Sequence, residues 1–176
     1  HDAHKATGLT IELRSHLSIE RQVHAIGATW LDRQLVNESK GQLPQGFGAQ
    51  VLATMRSRVA FLVQEGRAEQ RGHHVILARN LLATLRDREL VEVGRGLEHQ
   101  TGLAHRPLRD GERANGVYRR SIQLASGRFA MLDDGMGFSL VPWRPVVEQR
   151  LGQQVAAVIH GQSVDWKIGR QPGLSV

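Results

Sequence analysis

The chain has 176 residues, of which 40% are hydrophobic, so it can form one large domain or two small ones. It contains no cysteine, which excludes disulfides, thiolate metal sites and cysteine catalysis. No apolar run approaches the ~20 residues of a membrane-spanning helix, and the N-terminal HDAHKATGLT lacks the apolar stretch of a signal peptide. We therefore expect a cytoplasmic protein without membrane insertion.

The chain is strongly basic, with a formal net charge of +6 and a pI of about 10.9. Residues 1–103 carry 13 basic and 11 acidic side chains (net +2), whereas residues 104–176 carry 10 and 6 (net +4). Of the 23 basic residues, 20 are arginine, whose planar fork binds phosphate through paired hydrogen bonds. A GC-rich genome would also favour arginine codons. The charge nevertheless favours nucleic acid as a partner.

Two helices are predicted near the start of the chain. Residues 1–17 have no sustained period and are expected to be a leader or linker. An apolar stripe formed by Ile19, Val23, Ile26 and Trp30 then predicts one helix to about Val36. The glycine- and proline-containing NESKGQLPQGFG ends it. A second helix is predicted from about Ala49 to Glu65, with Gly66 at the usual C-terminal stop.

A β-hairpin is predicted within EGRAEQRGHHVIL (65–77), where the short strands RAEQ and HVIL are joined through Arg71-Gly72. A third helix follows from about Arg79 to Gly94 and can resume as LEHQTG. This element order is that of a winged helix-turn-helix, so we expect a winged-helix-like domain over residues 18–104. The second helix would then face a DNA groove, with the hairpin as the wing. The alternative is a helical bundle whose hairpin serves only for packing.

The adjacent His73 and His74 raise the question of a metal site. Neighbouring residues on a strand point to opposite faces, so the two imidazoles cannot easily bind one ion. No HxH, HExxH or carboxylate cluster accompanies them. We therefore assign both histidines to the wing, and predict no metal and no cofactor.

The second half of the chain changes character after the polar connector HRPLRDGERANG (105–116), which is the predicted domain boundary. Five strand-like runs follow: VYRRSIQLA, RFAMLDD, FSLVPW, QVAAVIH and SVDWKIG. One short helix, begun near Pro145, is inserted among them. This pattern predicts a small five-stranded β-barrel of the SH3-like or OB-like kind over residues 105–176, and an α+β fold for the whole chain.

Candidate DNA-binding residues follow from this arrangement and from the arginine positions. They are Gln50, Thr54, Arg56, Ser57 and Arg58 on the second helix, Arg67 and Arg71 in the hairpin, and Arg119, Arg120 and Arg128 at the start of the barrel. A merely solvated basic surface is the alternative to phosphate contact.

No catalytic motif is evident. Tyr118, the one tyrosine, is predicted on the face of its strand shared with Ile122 and Leu124, as a core residue. Asp133-Asp134-Gly is predicted to be a turn. A P-loop, a GxSxG elbow and a GxGxxG helix start are all missing from the sequence. The sequence thus predicts that this chain is not itself an enzyme.

Several segments together resemble one family: GATWLDRQLV (27–36), GFGAQV (46–51), ARNLLATLRDREL (78–90), YRRSIQLASGRFAMLDDGMGFSLVPWRP (118–145) and VDWKIGRQPGL (164–174). They are similar to the C-terminal region of large bacterial relaxases, the conjugative mobilization nucleases of the Ti-plasmid kind. In that family a separate N-terminal domain nicks the transfer origin with a tyrosine nucleophile and a histidine-bound metal. A type IV secretion system then exports the protein with the attached strand.

The resemblance implies a limited role, because the nuclease motif is missing from this sequence and Tyr118 does not match the catalytic tyrosine. It implies a non-catalytic accessory region of a relaxase, bacterial and cytoplasmic, and exported to a recipient cell with the full-length protein. We expect it to bind DNA, either origin DNA or the transferred single strand. The alternative is a protein-interaction module, read by the secretion coupling protein or by the relaxase's own nuclease domain.

Overall fold

The computed structural model describes residues 17–37, 48–161 and 163–168. They fold as an α+β protein with five helices, one two-stranded sheet and one mixed six-stranded sheet. Almost all of the predicted leader and of the predicted NESKGQLPQGFG break lies outside these ranges. None of the described helices has the length and apolar character needed to cross a membrane.

Two compact units divide between Arg88 and Glu89. The sequence analysis placed the boundary later, after residue 104. The division comes earlier because the second half of a long helix packs onto the strands that follow it, through Leu90, Val93 and Leu97. The two parts are called the N-terminal unit and the C-terminal unit below.

The N-terminal unit contains three helices and a hairpin. They are α1 (Ile19–Gln22), α2 (Trp30–Asn37), α3 (Ala49–Gln64), β1 (Ala68–Arg71) and β2 (His74–Leu77). Its core lies between α3 and its neighbours. Apolar side chains form two clusters, Leu35, Val59, Leu62 and Val75 in one and Leu31, Val51 and Met55 in the other, and Asp32 and Arg58 are also buried. The apolar stripe of α3 therefore faces the core along its whole length.

The single helix predicted from Ser18 to Val36 is wrong, because the chain forms α1 and α2 with a non-helical link between them. Thr29 caps α2: its Oγ1 accepts from the N–H of Asp32 (3.2 Å), and Asp32 Oδ2 accepts from the N–H of Thr29 (2.9 Å). This reciprocal pair is a capping box, which starts a new helix at Trp30. The apolar residues from Ile19 to Trp30 have the spacing of one helix, but the backbone between α1 and α2 is not helical.

The predicted hairpin is present, with β1 and β2 antiparallel and Arg71 opposite His74 at the turn. Gly72 adopts φ +61°, a conformation that glycine tolerates without steric cost. Val75 is buried against α3, while Ile76 on the opposite face is exposed. The hairpin is thus fixed to α3 by one face only.

The predicted third helix continues past its expected end at Gly94. Helix α4 runs from Leu81 to Thr101 without interruption. Gly94 is buried, and a Cβ at this position would overlap the ring of His105. Glycine here serves close packing and does not break the helix.

The C-terminal unit is built on one sheet. Its strands are β3 (Ala104–His105), β4 (Arg113–Leu124), β5 (Gly127–Asp133), β6 (Gly137–Pro142), β7 (Gln154–His160) and β8 (Ser163–Trp166), with helix α5 (Pro145–Glu148) after β6. The order is β3-β6-β5-β4-β7-β8, antiparallel except for β3 beside β6. All five predicted strands and the predicted helix are present. No ladder among the described residues joins β3 to β8, so the sheet has two edges and does not close.

Both faces of this sheet are covered by apolar residues. Phe129, Met131 and Leu140 pack on the face that receives the end of α4, whereas Ala130, Leu132 and Val141 pack with Tyr118 on the other. A β-bulge lies in β4 between Tyr118 and Arg120. The bulge reverses which side chains face each way, so Tyr118 does not share a face with Ile122 and Leu124 as the spacing had predicted.

Candidate nucleic-acid interface

An open cleft of about 380 Å³ lies between α3 and the hairpin of the N-terminal unit. Its apolar floor is formed by Val59 and Val75, both buried. Arg56, Gln70 and His73 line its rim together with Gly72, and all of them are exposed. The cleft therefore combines an apolar floor of two valines with an exposed, polar and cationic rim.

The rim side chains differ in how they are held. Gln70 Nε2 donates to the carbonyl oxygen of Gly72 (2.9 Å), which fixes the amide over the turn. Among the described residues, Arg56 forms no ion pair, so its guanidinium is available to an anion from outside. His73 sits in the turn beside them. An arginine without an ion-pair partner, next to side chains that can form hydrogen bonds, suits a phosphate or the edge of a base.

The other predicted residues on α3 divide by exposure. Ser57 is exposed beside Arg56. Gln50 is also exposed, but its Nε2 donates to Glu20 Oε2 (2.8 Å). Thr54 is only 8% exposed, and its Oγ1 donates to the carbonyl of Gln50 (2.8 Å). Thr54 therefore belongs to the packed face of α3 and is not available for base contact.

Arg58 was predicted to contact DNA, and this is wrong, because its side chain is 0% exposed. Its Nε and Nη2 donate to the two carboxylate oxygens of Asp32, at 2.8 and 2.7 Å. Its Nη1 and Nη2 also donate to four carbonyl oxygens at the end of α1 and in the link that follows, those of Gln22, Val23, Ala25 and Gly27, at 2.7–3.0 Å. The guanidinium takes the place of backbone partners that the link lacks.

The two predicted hairpin arginines are not part of the cleft lining. Arg71 is exposed and pairs with Glu69 on its own strand (3.1 Å), an arrangement that contributes little stability and can open. Arg67 is half-buried at the foot of the hairpin. Its N–H donates to Leu62 and its carbonyl accepts from Ala78, so its backbone ties the hairpin to α3. Arg67 therefore has a structural role.

The three predicted arginines of the C-terminal unit have different surroundings. Arg119 Nε donates to Asp133 Oδ2 (3.2 Å). Arg120 is exposed and makes no ion pair within the described ranges. Arg128 lies over the ring of Trp143, with its guanidinium carbon 4.2 Å from the ring centroid. Of these three, Arg119 is already neutralised and the other two are available.

Sequence reasoning missed two of the side chains that the structure brings into prominence. Gln70 was read only as part of a strand, and Trp143 only as the end of one. Alternation along the hairpin gave a weak signal for Gln70. Gln70 lies directly opposite the buried Val75, so both side chains belong to the face of the hairpin that lies over α3. No signal in the sequence pairs Trp143 with Arg128, because β5 and β6 must first be in register.

The pKa values of several titratable groups near these residues are shifted by burial and by hydrogen bonds within the fold. Hydrogen bonds from Tyr118 and Trp143 lower the pKa of Glu148, and backbone N–H groups of Met136 and Gly137 lower the pKa of Asp134. Burial, followed by its bond to Glu148, raises the pKa of Tyr118, so the phenol keeps its proton at neutral pH. Within the described ranges, no three His, Asp or Glu side chains are grouped to hold a metal ion.

Comparison with other proteins bears on the family alone. No curated protein and no solved structure matches the chain at a significant level. A family of proteins of unknown function, DUF3363, matches residues 1–175. Since the match spans nearly the whole sequence, the chain belongs to the DUF3363 family.

Proposed function

We propose that this chain is a non-catalytic DNA-binding module, and that the cleft between α3 and the hairpin is its contact surface for duplex DNA. The observation that carries the proposal is Arg56, exposed on the cleft rim without an ion pair among the described residues, beside Gln70 and His73. The cation supplies sequence-independent attraction to phosphate, and the neighbouring amide and imidazole supply hydrogen bonds.

The N-terminal unit acts in this proposal as a winged helix-turn-helix. Support comes from the order of α2, α3 and the β1–β2 hairpin, and from the exposed face of α3 that carries Ala53, Arg56 and Ser57. Small and polar side chains on this face would let the helix approach a groove closely. The hairpin stands beside α3 with its turn at the rim of the cleft, where a wing would meet the backbone.

The C-terminal unit is proposed to be an open relative of an SH3-like or OB-like barrel. Strand β4 pairs through its first half with β7 and through its second half with β5, as a strongly bent strand does at a barrel corner. Trp166 Nε1 on β8 donates to the carbonyl oxygen of Pro142 at the end of β6 (3.1 Å). This bond brings the edge strand β8 next to β6, the second strand from the opposite edge, without pairing them.

The resemblance to the C-terminal region of conjugative relaxases suggests the biological setting. In that setting the module holds origin DNA or the transferred strand in the bacterial cytoplasm while a separate nuclease domain does the chemistry. It would travel to the recipient cell as part of the full-length relaxase.

A protein-binding module is the second candidate. It is favoured by apolar side chains exposed around α5: Val146 is 55% exposed and Leu151 is 53% exposed. Apolar groups on a polar surface are typical of contact sites for another protein. The coupling protein of a type IV secretion system, or the relaxase's own nuclease domain, would be the partner.

Fluorescence anisotropy of a labelled duplex, titrated with the full chain at low and moderate salt, tests the proposal. We expect saturable binding that weakens steeply as salt rises. Arg56→Glu should weaken binding by about tenfold or more and reduce the salt slope by about one. The matched control is Arg79→Glu, which makes the same charge change at an exposed residue outside the cleft.

Equal losses in the two variants would mean that net charge alone attracts the DNA and that the cleft is not the site. Failure of the unaltered chain to bind duplex at micromolar concentration would favour the protein-binding candidate.

A further inference from the structure

We propose that Arg128 and Trp143 of the C-terminal unit form a platform on which an unpaired base of single-stranded nucleic acid stacks. The proposal extends DNA binding to a second site, but it is argued from the C-terminal unit alone. It therefore stands or falls independently of the cleft described above.

The platform is fixed from below. Trp143 Nε1 donates to Glu148 Oε1 (2.9 Å), and the Tyr118 hydroxyl donates to the same oxygen (2.8 Å). Tyr118 is fully buried in the core on this side of the sheet. The indole is thus tied through one carboxylate to a buried core residue, which restrains the position of the ring.

The guanidinium of Arg128 lies over the ring of Trp143. Its carbon is 4.2 Å from the centroid of the Trp143 ring, and its Nε donates to Ser121 Oγ (2.9 Å). Arg128 is exposed, and none of the described carboxylates lies within ion-pair distance of it. In the proposal, the indole supports one face of the guanidinium and an incoming base stacks on the opposite face. The contacts with Trp143 and Ser121 hold the cation in place for this role.

Neighbouring side chains supply what a nucleotide would need besides stacking. The sheet register sets Gln123 directly opposite Arg128, and Gln123 is exposed. Its amide can donate to, and accept from, the edge of a base. Arg144, next to Trp143 in the chain, is exposed and forms no ion pair among the described residues, so it can meet the phosphate.

Single strands fit this surface better than duplexes. Bases in a duplex are stacked on each other and present only their edges, whereas splayed bases of a single strand stack on aromatic rings and on arginine guanidinium planes. A platform with one open face takes one base at a time. A single such base changes affinity by on the order of tenfold.

The test uses the full chain, fluorescein-labelled dT15 and a labelled 15-base-pair duplex. Arg128→Lys keeps the charge and loses the planar face, so it should weaken dT15 binding about tenfold and leave duplex binding unchanged. Arg113→Lys is the matched control, because Arg113 is an exposed arginine on β4 without an ion pair in the described ranges. Trp143→Phe should weaken dT15 binding to a similar degree.

A second readout guards against loss of folding. Binding of dT15 should quench tryptophan fluorescence, and Arg128→Lys, with an unchanged circular dichroism melting curve, should reduce this quenching. Full dT15 affinity in both Arg128→Lys and Trp143→Phe would overturn the platform. Failure of Arg56→Glu to affect duplex binding would reject the cleft but not the platform, since dT15 binding depends on Arg128.

Discussion

Arg58→Met separates the structural arginine of α3 from the one proposed to bind DNA. Methionine keeps much of the side-chain volume but leaves the Asp32 carboxylate buried without its arginine partner. It also removes the guanidinium hydrogen bonds to the carbonyl oxygen of Gln22 and to those of the link residues Val23, Ala25 and Gly27. Removing one partner of a buried ion pair costs about 3–5 kcal/mol. Whole domains have unfolding free energies of about 5–15 kcal/mol, so the loss is a large fraction of the total.

Native-state amide hydrogen exchange of α3 reports the N-terminal unit by itself. At about 1.4 kcal/mol per factor of ten, a loss of about 3–5 kcal/mol in Arg58→Met should speed the slowest amides of α3 by roughly 10²- to 4 × 10³-fold. Arg56→Met is the control on the same helix: Arg56 is exposed and makes no ion pair among the described residues, so stability should change by less than about 0.5 kcal/mol. Exchange in Arg58→Met within threefold of the unaltered chain would refute the structural role assigned to this guanidinium.

Further predictions concern the C-terminal unit. Gly94→Ala should destabilise it, because the new Cβ meets the His105 ring and overpacking costs about 1–3 kcal/mol; Gly96→Ala, with open space around it, should instead stabilise the helix by up to about 1 kcal/mol. Equal melting temperatures for the two variants would contradict this packing. The lowered pKa of Glu148 means that its ionised form stabilises the fold above its ordinary value of 4.5, and that this stability is lost as pH falls through the lower folded value. Glu148→Gln should therefore lower stability at pH 7 and flatten the acid-induced loss below pH 4.5, as urea titrations at several pH values would measure; an unchanged pH profile would be evidence against the Glu148 contacts.

Elements whose residues alternate or repeat without interruption were predictable from the sequence. Helix α3 carries an apolar pattern of helical period. The hairpin and the five predicted strands are short strand-like runs between glycine-containing turns, so local signals sufficed to predict them. The glycines that end these elements, such as Gly66 and Gly72, also have the positive φ that their turns require.

Features that depend on a distant partner were not predictable. The break between α1 and α2 depends on Arg58, which lies 31 residues beyond Gly27 and 36 residues beyond Gln22, the nearest and the most distant of the carbonyls that it binds. The bulge at Tyr118 is invisible to a count of alternating residues, and the extra length of α4 depends on the fit of Gly94 against His105. Dependence on a distant partner also explains the errors at the candidate sites. From the sequence, Arg58 was predicted to be an exposed arginine, and nothing near Arg128 in the sequence indicates its contact with Trp143.

The central claim, that the cleft between α3 and the hairpin contacts duplex DNA, is tested most directly by mapping a duplex titration on the backbone amide resonances of the full chain. The proposal predicts that the largest shift changes fall on Ala53, Arg56 and Ser57 of α3 and on residues 70–73 of the hairpin, with α2 nearly unaffected. Changes confined to other surfaces, or none at saturating duplex, would contradict it.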